Sequence, residues 1–220
     1  MSRLFLLLLS IPKSFLFNLV HLPLRQAIKF PIVLTYRTKV RVGGKISLNE
    51  KVRVGMIRIG FHHVTLCNDS DRTVLIVEKG GVLEFRGSAH IGNGTKIHVT
   101  KDGYLTLGDN FAVSASSAIK CYHRIEFGRD IQFSWNCLVM DSDTHKIYDQ
   151  NDIIINDAKC VRFGDKVWIG CNTTILKGTS VPSNCVIGAN SLVSGDKFED
   201  SSVIIGCPAK SVKKIVGWKL

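Results

Sequence analysis

The chain has 220 residues and a formal net charge of +11 at pH 7, which is enough length for one large domain with a sizeable core. An apolar fraction of 45% and a charged fraction of 21% exclude an intrinsically disordered chain. The basic residues form no Arg-rich tract and no zinc-finger spacing, so a phosphorylated cofactor, an anionic saccharide or an anionic membrane surface explains the charge better than nucleic acid does.

The N-terminal segment, residues 1–35, differs in composition from the rest of the chain. The apolar run Leu4–Leu9 is followed by apolar residues that alternate with basic ones, a pattern that predicts an amphipathic helix interrupted by Pro12, Pro23 and Pro31. The run is far shorter than the ~20 residues that span a bilayer, and no small-x-small cleavage site follows it. A cap on the end of the core is the favoured interpretation. Peripheral contact of residues 1–30 with the cytoplasmic membrane leaflet is the alternative, ahead of a cleaved signal.

A six-residue repeat of apolar residues is the strongest signal in the chain. A helix cannot hold this period on one face, because successive members would rotate by about 240° around its axis. Short strands separated by regular turns fit the period, and such a chain stacks coil on coil as a parallel β-helix. The inward positions are Ile91, Ile97, Leu107, Val113, Ile119, Phe127, Phe133, Val139, Phe163, Ile169, Ile175, Val181, Ile187 and Val193.

Two irregularities interrupt the repeat. Two extra residues lie near Cys121–Ile125, and residues 140–160 carry no Gly-marked corner and are unusually acidic for a basic protein. Insertions on a rigid scaffold commonly carry the chemistry, so residues 140–160 are predicted to form a protruding functional loop. The predicted organisation is an N-terminal segment at 1–35, an all-β helix domain at 36–208 and a basic tail at 209–220.

The repeat region resembles the hexapeptide-repeat acyltransferases, in particular the galactoside, maltose and polysaccharide O-acetyltransferases. The motifs that carry the resemblance are Phe163-Gly-Asp-Lys-Val-Trp-Ile-Gly, Val186-Ile-Gly-Ala-Asn-Ser-Leu-Val and Gly206-Cys-Pro-Ala-Lys, within about residues 85–215. The family implies a left-handed β-helix, a homotrimer with active sites between subunits, and transfer of an acetyl group from acetyl-CoA to a sugar hydroxyl. Surface-polysaccharide biosynthesis is the expected context.

The candidate catalytic residues lie in the interruption, where Asp141-x-Asp143-x-His145 resembles the family's catalytic motif. His145 is predicted to remove the proton of the attacking hydroxyl, because an imidazole accepts a proton near neutral pH. Asp143 or Asp141 would orient the ring. His145 also falls on the six-residue register, so an interior structural histidine is the competing interpretation.

Further site residues follow from the resemblance. It maps pantetheine contacts onto Cys171, Ala189 and Ser194, and cationic phosphate contacts onto Lys210 and Lys213. Trp168 precedes the inward Ile169 and should therefore face outward, beside the cofactor groove or a neighbouring subunit. Some relatives contact the acceptor through an Asn that is missing here. Either Ser114 or Ser116 substitutes for it, or the contact is absent.

Other functions remain open at this stage. A zinc enzyme of the γ-carbonic-anhydrase type would use His90, His98 and His123, which lack the expected close pair, so no metal is expected. An N-acyltransferase acting on an amino sugar and a non-catalytic binding scaffold are further alternatives. The seven cysteines show neither Cys-x-x-Cys nor a metal spacing, which favours reduced thiols and a cytoplasmic protein, with the inner face of the membrane as an alternative location.

Overall fold

The computed structural model describes residues 3–49, 51–61, 63–68 and 70–219. Two N-terminal helices, α1 (Arg3–His21) and α2 (Leu24–Ala27), precede a series of short strands that are numbered β1 to β22 in chain order. From β1 to β20, successive strands fall in turn on sheet 1, sheet 2 and sheet 3, so that three strands complete one coil. The fold is therefore a parallel β-helix with an N-terminal helical segment.

The three sheets have these members. Sheet 1 contains β1 (Ile32–Leu34), β4 (Ile57–Ile59), β7 (Ala89–Ile91), β10 (Phe111–Ala115), β13 (Gln132–Trp135), β16 (Trp168–Ile169), β19 (Val186–Ile187), β21 (Ser202–Gly206) and β22 (Ala209–Lys214). Sheet 2 contains β2 (Lys39–Val42), β5 (Val74–Val77), β8 (Lys96–Val99), β11 (Ala118–Cys121), β14 (Leu138–Met140), β17 (Thr174–Ile175) and β20 (Leu192–Val193). Sheet 3 contains β3 (Lys45–Leu48), β6 (Val82–Phe85), β9 (Tyr104–Leu107), β12 (Arg124–Phe127), β15 (Val161–Phe163) and β18 (Ser180–Val181).

The core is the continuous column of inward side chains inside the coils. All fourteen predicted inward positions are buried, from Ile91 to Val193, so the six-residue register is confirmed. The pairing is parallel and in register, as in the stack of Val139 on Ile175 and of Ile175 on Val193. A ladder of phenylalanines, among them Phe111, Phe127 and Phe163, adds ring contacts along the axis, with 5.0 Å between the centroids of Phe127 and Phe163.

Tight corners join the sheets, and many of them contain a residue with a left-handed backbone. At the corner from sheet 1 to sheet 2, called the first corner, Asn136, Asn172 and Asn190 have φ between 56° and 58°. Asn tolerates this region better than other residues with a side chain do, which explains its recurrence there. The backbone N–H of each Asn donates to the coil before it, as from Asn172 to the Trp135 carbonyl at 3.0 Å. The corner from sheet 2 to sheet 3 is called the second corner.

The N-terminal helix differs from the prediction in two respects. α1 continues through Pro12, so that proline does not interrupt it. The helix is also longer than the apolar run suggested, and its window Leu4–His21, with a mean hydropathy of 1.7, is long and apolar enough to cross a membrane. In the structure α1 instead packs against β1, the edge strand of sheet 1.

The C-terminal tail, which was predicted as a basic extension, forms a strand of sheet 1. β22 turns back after the cis Cys207–Pro208 peptide and pairs antiparallel with β21. Beyond it, Trp218 donates its indole N–H to the Lys166 carbonyl at 2.9 Å. The tail is thus held against sheet 1, next to Trp168.

Candidate active site

The acidic interruption leaves the coil at the second corner, between β14 and β15. Its middle forms a small hairpin, in which Tyr148 bridges Ile154 and the Ile155 N–H donates to the Ile147 carbonyl at 3.0 Å. His145 lies at the start of this hairpin and is exposed. An interior position is therefore wrong for His145, because the chain leaves the six-residue register directly after Met140.

Asp141, the first residue of the loop, is fully buried. Its carboxylate accepts hydrogen bonds from the backbone N–H groups of Tyr122, His123 and Arg124, at 2.6–2.7 Å. These three residues lie in the irregularity near Cys121–Ile125, so Asp141 is the group that satisfies its backbone donors. This assignment corrects the idea that Asp141 could orient the His145 ring, because its oxygens are already bonded on the preceding coil.

Asp143 is held in a different network at the loop's surface. Its carboxylate accepts from the Lys177 ammonium at 2.5 Å and from the Asn156 side-chain amide at 2.9 Å. The Lys177 hydrogen bond is the main cause that lowers the pKa of the Asp143 carboxyl, followed by the Asn156 amide. Asn156 also donates to the His145 backbone carbonyl at 2.8 Å, so this network fixes the chain that carries His145.

Lys177 and Asn156 are site residues that the sequence analysis missed. The Lys177 side chain is only 18% exposed, and its ammonium also donates to the Asn156 carbonyl at 2.7 Å. Lys177 stands one coil after the loop, in the corner motif Ile175-Leu-Lys-Gly. The signal that could have found it is charge, because Lys177 is a cation at the second corner, one coil after an acidic insertion.

The residues mapped to pantetheine are divided between two corners. Cys171 and Ala189 stack one coil apart at the first corner, where the Asn190 N–H donates to the Cys171 carbonyl at 2.9 Å. Close packing holds these coils together, since a Cβ on Gly170 would lie 2.6 Å from the Ala189 nitrogen. Ser194 is exposed at the second corner, on the other side of sheet 2 and on the side from which the His145 loop leaves.

The residues mapped to the nucleotide end lie on and near sheet 1. Trp168 faces outward with 43% of its surface exposed, as predicted, and its indole N–H donates to the Ser134 hydroxyl at 3.3 Å. Lys210 and Lys213 are exposed on β22. Neither forms an ion pair within the described residues, whereas Lys214 pairs with Glu199 and Asp200. Lys210 and Lys213 are therefore available for a phosphate.

The two serines proposed for the acceptor occupy the first corner and the strand before it. The Ser114 hydroxyl donates to the Phe133 carbonyl at 2.9 Å. The Ser116 hydroxyl is buried and has no hydrogen-bond partner among the described residues, and its backbone is left-handed with φ of 50°. Ser116 lies in the same stack of corner residues as Asn136, Asn172 and Asn190.

A metal centre finds no support in the side-chain arrangement. Within the ranges that the structure describes, no three His, Cys, Asp or Glu side chains gather in a way that could hold an ion. His98, one of the candidate ligands, bonds Glu78 at 2.9 Å instead.

The chain is similar to known acetyltransferases in both sequence and fold. No protein-family model matches the chain. A probable acetyltransferase of Mycobacterium tuberculosis is 33% identical over 135 residues, which cover 60% of this chain and 44% of that protein. The chain thus spans less than half of that relative. The polysialic-acid-specific acetyltransferase NeuO is similar in structure, with a TM-score of 0.57 and 22% identity over 86% of this chain and 89% of that one.

The chain is similar in sequence to acetyltransferases and shares the fold of NeuO, in agreement with the predicted resemblance to the hexapeptide-repeat acyltransferases. The predicted left-handed parallel β-helix is confirmed by its likeness to solved members of this family. A second such structure is a galactoside acetyltransferase in complex with coenzyme A, with a TM-score of 0.50 and 19% identity over 60% of this chain and 64% of that one. That structure holds coenzyme A, and the similar sequences include proteins named as acetyltransferases, so acyl transfer from coenzyme A is an activity found among the proteins that this chain resembles.

Proposed function

We propose that this protein is an acyltransferase that moves an acetyl group from acetyl-CoA to a hydroxyl of a saccharide in the biosynthesis of a surface polysaccharide. The observation that carries the proposal is the exposed His145 on a loop that is held by the buried Asp141, by the Asp143–Lys177 pair and by the Asn156 amide. The similar proteins point to the acceptor class, because NeuO acts on polysialic acid and a galactoside acetyltransferase acts on galactosides.

In the proposed reaction the acceptor oxygen attacks the thioester carbonyl while the His145 imidazole takes the hydroxyl proton. The C–S bond breaks as the new C–O ester bond forms, and the proton then passes to the departing thiolate of coenzyme A. Asp143, held by Lys177 and Asn156, keeps the His145 backbone in place. Asp143 therefore acts as a positioning residue in the isolated chain, since its carboxylate bonds Lys177 and Asn156.

The decisive test is His145→Ala, measured with acetyl-CoA against a panel of nucleotide-linked and lipid-linked sugars. Loss of a general base should lower the rate by about 10²–10⁴, with little change in coenzyme A affinity. His98→Ala is the matched control, because it removes a partly exposed imidazole outside the loop. Near-normal turnover of a folded His145→Ala enzyme would refute this mechanism. A panel that included amino sugars would also reveal N-acyl transfer, the second candidate.

Cofactor binding at β22 has its own test. Lys210→Glu with Lys213→Glu should weaken coenzyme A more than dephospho-coenzyme A, because the lost attraction is to a phosphate. Lys79→Glu with Lys101→Glu makes the same charge change on exposed residues far from β22 and is the control. Equal losses for the two ligands would show that Lys210 and Lys213 do not contact the 3′-phosphate.

We further propose that the site is completed in a homotrimer. The hairpin beside His145 exposes four apolar side chains by more than half, a surface that suits contact with another subunit. They are Ile147, Tyr148, Ile153 and Ile155. His145 and the Cys171–Ala189 corner lie on opposite sides of sheet 2 within one chain, which supports a site shared between chains.

Mixing two inactive variants tests a shared site. Ala189→Trp should block the first corner, and His145→Ala removes the base. Co-assembled trimers of the two should regain partial activity if one chain supplies His145 and its neighbour supplies the corner. No recovery, with trimers present by light scattering, would place the whole site in one chain. We also propose a cytoplasmic location, which the seven free cysteines support.

A further inference from the structure

Helix α1 buries its polar side chains and exposes its apolar ones. Ser10, Ser14 and Asn18 lie one turn apart on one face and are fully buried. Asn18 accepts from the Ile32 N–H at 3.1 Å and donates to the Ile32 carbonyl at 2.7 Å. The Ser14 hydroxyl accepts from the Leu34 N–H at 2.9 Å. The polar face thus satisfies the open backbone edge of β1, which no further coil covers.

The opposite face of α1 is almost entirely apolar and open. Ten leucine, isoleucine, valine and phenylalanine side chains on it are 41–67% exposed, and α2 and its end add Leu24 and Ile28. A contiguous apolar surface of this kind is rare on a soluble protein and marks a contact site. The ten residues are Leu4, Phe5, Leu7, Leu8, Leu9, Ile11, Phe15, Leu16, Leu19 and Val20.

The charge of the N-terminal region indicates which kind of surface binds the apolar face of α1. The first 49 residues contain eight Lys or Arg and no Asp or Glu, which is most of the net charge of +11. A second copy of the same face would bring two such basic ends together, which is unfavourable. An anionic lipid surface combines an apolar interior with a negative headgroup layer, and so matches both properties.

We infer that α1 is an in-plane anchor that lies with its apolar face in one leaflet of an anionic bilayer. The helix does not cross the bilayer in this arrangement, because Ser10, Ser14 and Asn18 remain bonded to β1 along its length. The β-helix then stands with its first coil at the membrane. This inference rests on α1 and on the basic charge of the first 49 residues, and it holds whatever the acceptor of the acyl group is.

Vesicle flotation tests the anchor with the full-length protein. The wild-type chain should float with phosphatidylcholine vesicles that contain phosphatidylglycerol, and less with phosphatidylcholine alone. Leu8→Glu, Phe15→Glu and Leu16→Glu combined should weaken binding by at least about tenfold. Val54→Glu, Leu66→Glu and Val216→Glu combined are the control, with the same charge change at residues that are 74–102% exposed elsewhere.

A second measurement separates the remaining outcomes. A photoreactive benzoyl-phenylalanine at Phe15 should crosslink to lipid, whereas the same probe at the buried Phe17 should not. Absence of flotation, or equal loss in both triple variants, would overturn the anchor. Retention in the membrane after alkaline carbonate extraction would show a spanning helix instead. Assemblies larger than a trimer that dissociate in the helix variant, without vesicle binding, would identify a second copy as the partner.

Discussion

Helix α1 and the coils of the β-helix bury opposite kinds of side chain. Inside the coils most of the buried positions are apolar, as at Ile175, and the outward positions of the same strands are more open. On α1 the buried stripe carries Ser10, Ser14 and Asn18, and the leucines face out. The difference lies in the partner surface, because a coil interior presents hydrocarbon and the edge of β1 presents unpaired N–H and C=O groups.

The largest effect is expected where the coil interior is made polar. Ile175→Asp would place an unpaired carboxylate among fully buried side chains, at a cost of more than about 4 kcal/mol. Soluble expression should be lost. Thr174→Asp, one residue earlier on the outward side of β17, is the control and should remain soluble. A folded and stable Ile175→Asp protein would show that the register is wrong.

Asp141 is an exception to the contrast between the coils and α1, because it is a carboxylate that is buried within the coils. Removing it by Asp141→Ala leaves three backbone donors without their acceptor, and a loss of about 3–5 kcal/mol in the free energy of unfolding is expected. Urea titration measures the loss. Asp143→Ala, which removes an exposed carboxylate, should cost much less stability. Equal losses would contradict the structural role of Asp141.

Much of the fold was predictable, whereas only part of the site was. The six-residue period gave the core from Ile91 to Val193 because each member occupies the same position in its coil. For His145, periodicity shows only that the residue lies in an interruption of the repeat. The roles of Asp141, Asn156 and Lys177 depend on contacts between coils, which the sequence does not show. α1 was predicted as amphipathic, but a period does not say which face is buried. The polar face is the buried one because the edge of β1 presents unpaired backbone N–H and C=O groups to α1.

On α1 the same comparison predicts that a more apolar residue is destabilising. Asn18→Leu removes both hydrogen bonds to Ile32 and leaves an N–H and a C=O of β1 unpaired, at about 1–3 kcal/mol. Thermal unfolding without lipid measures the change. Leu19→Asn, which adds an amide on the exposed face, should leave the melting temperature nearly unchanged. A stabilised Asn18→Leu protein would mean that the polar stripe is not needed at this edge.

The smallest effect concerns Lys13, which lies beside the polar stripe of α1. Its ammonium donates to the carbonyls of Tyr36 and Thr38, and burial lowers the pKa of this side chain below its ordinary value. Between the native and the ordinary pKa the unfolded chain binds more protons than the folded one, so this group makes stability rise with pH in that alkaline window.

Lys13→Met removes that titration and is the comparison to make. The melting temperature of the wild type, relative to Lys13→Met, should rise slightly as the pH is raised from neutrality toward the ordinary lysine value of about 10.4. The partial exposure of Lys13 keeps the effect small. A relative fall over the same range would show that the hydrogen bonds to Tyr36 and Thr38 favour the charged form more than burial disfavours it. In that case the buried side of α1 would accommodate the charged ammonium of Lys13 as well as the uncharged Ser10, Ser14 and Asn18. The difference in polarity between this side of α1 and the interior of the coils would then be larger than those three residues alone indicate.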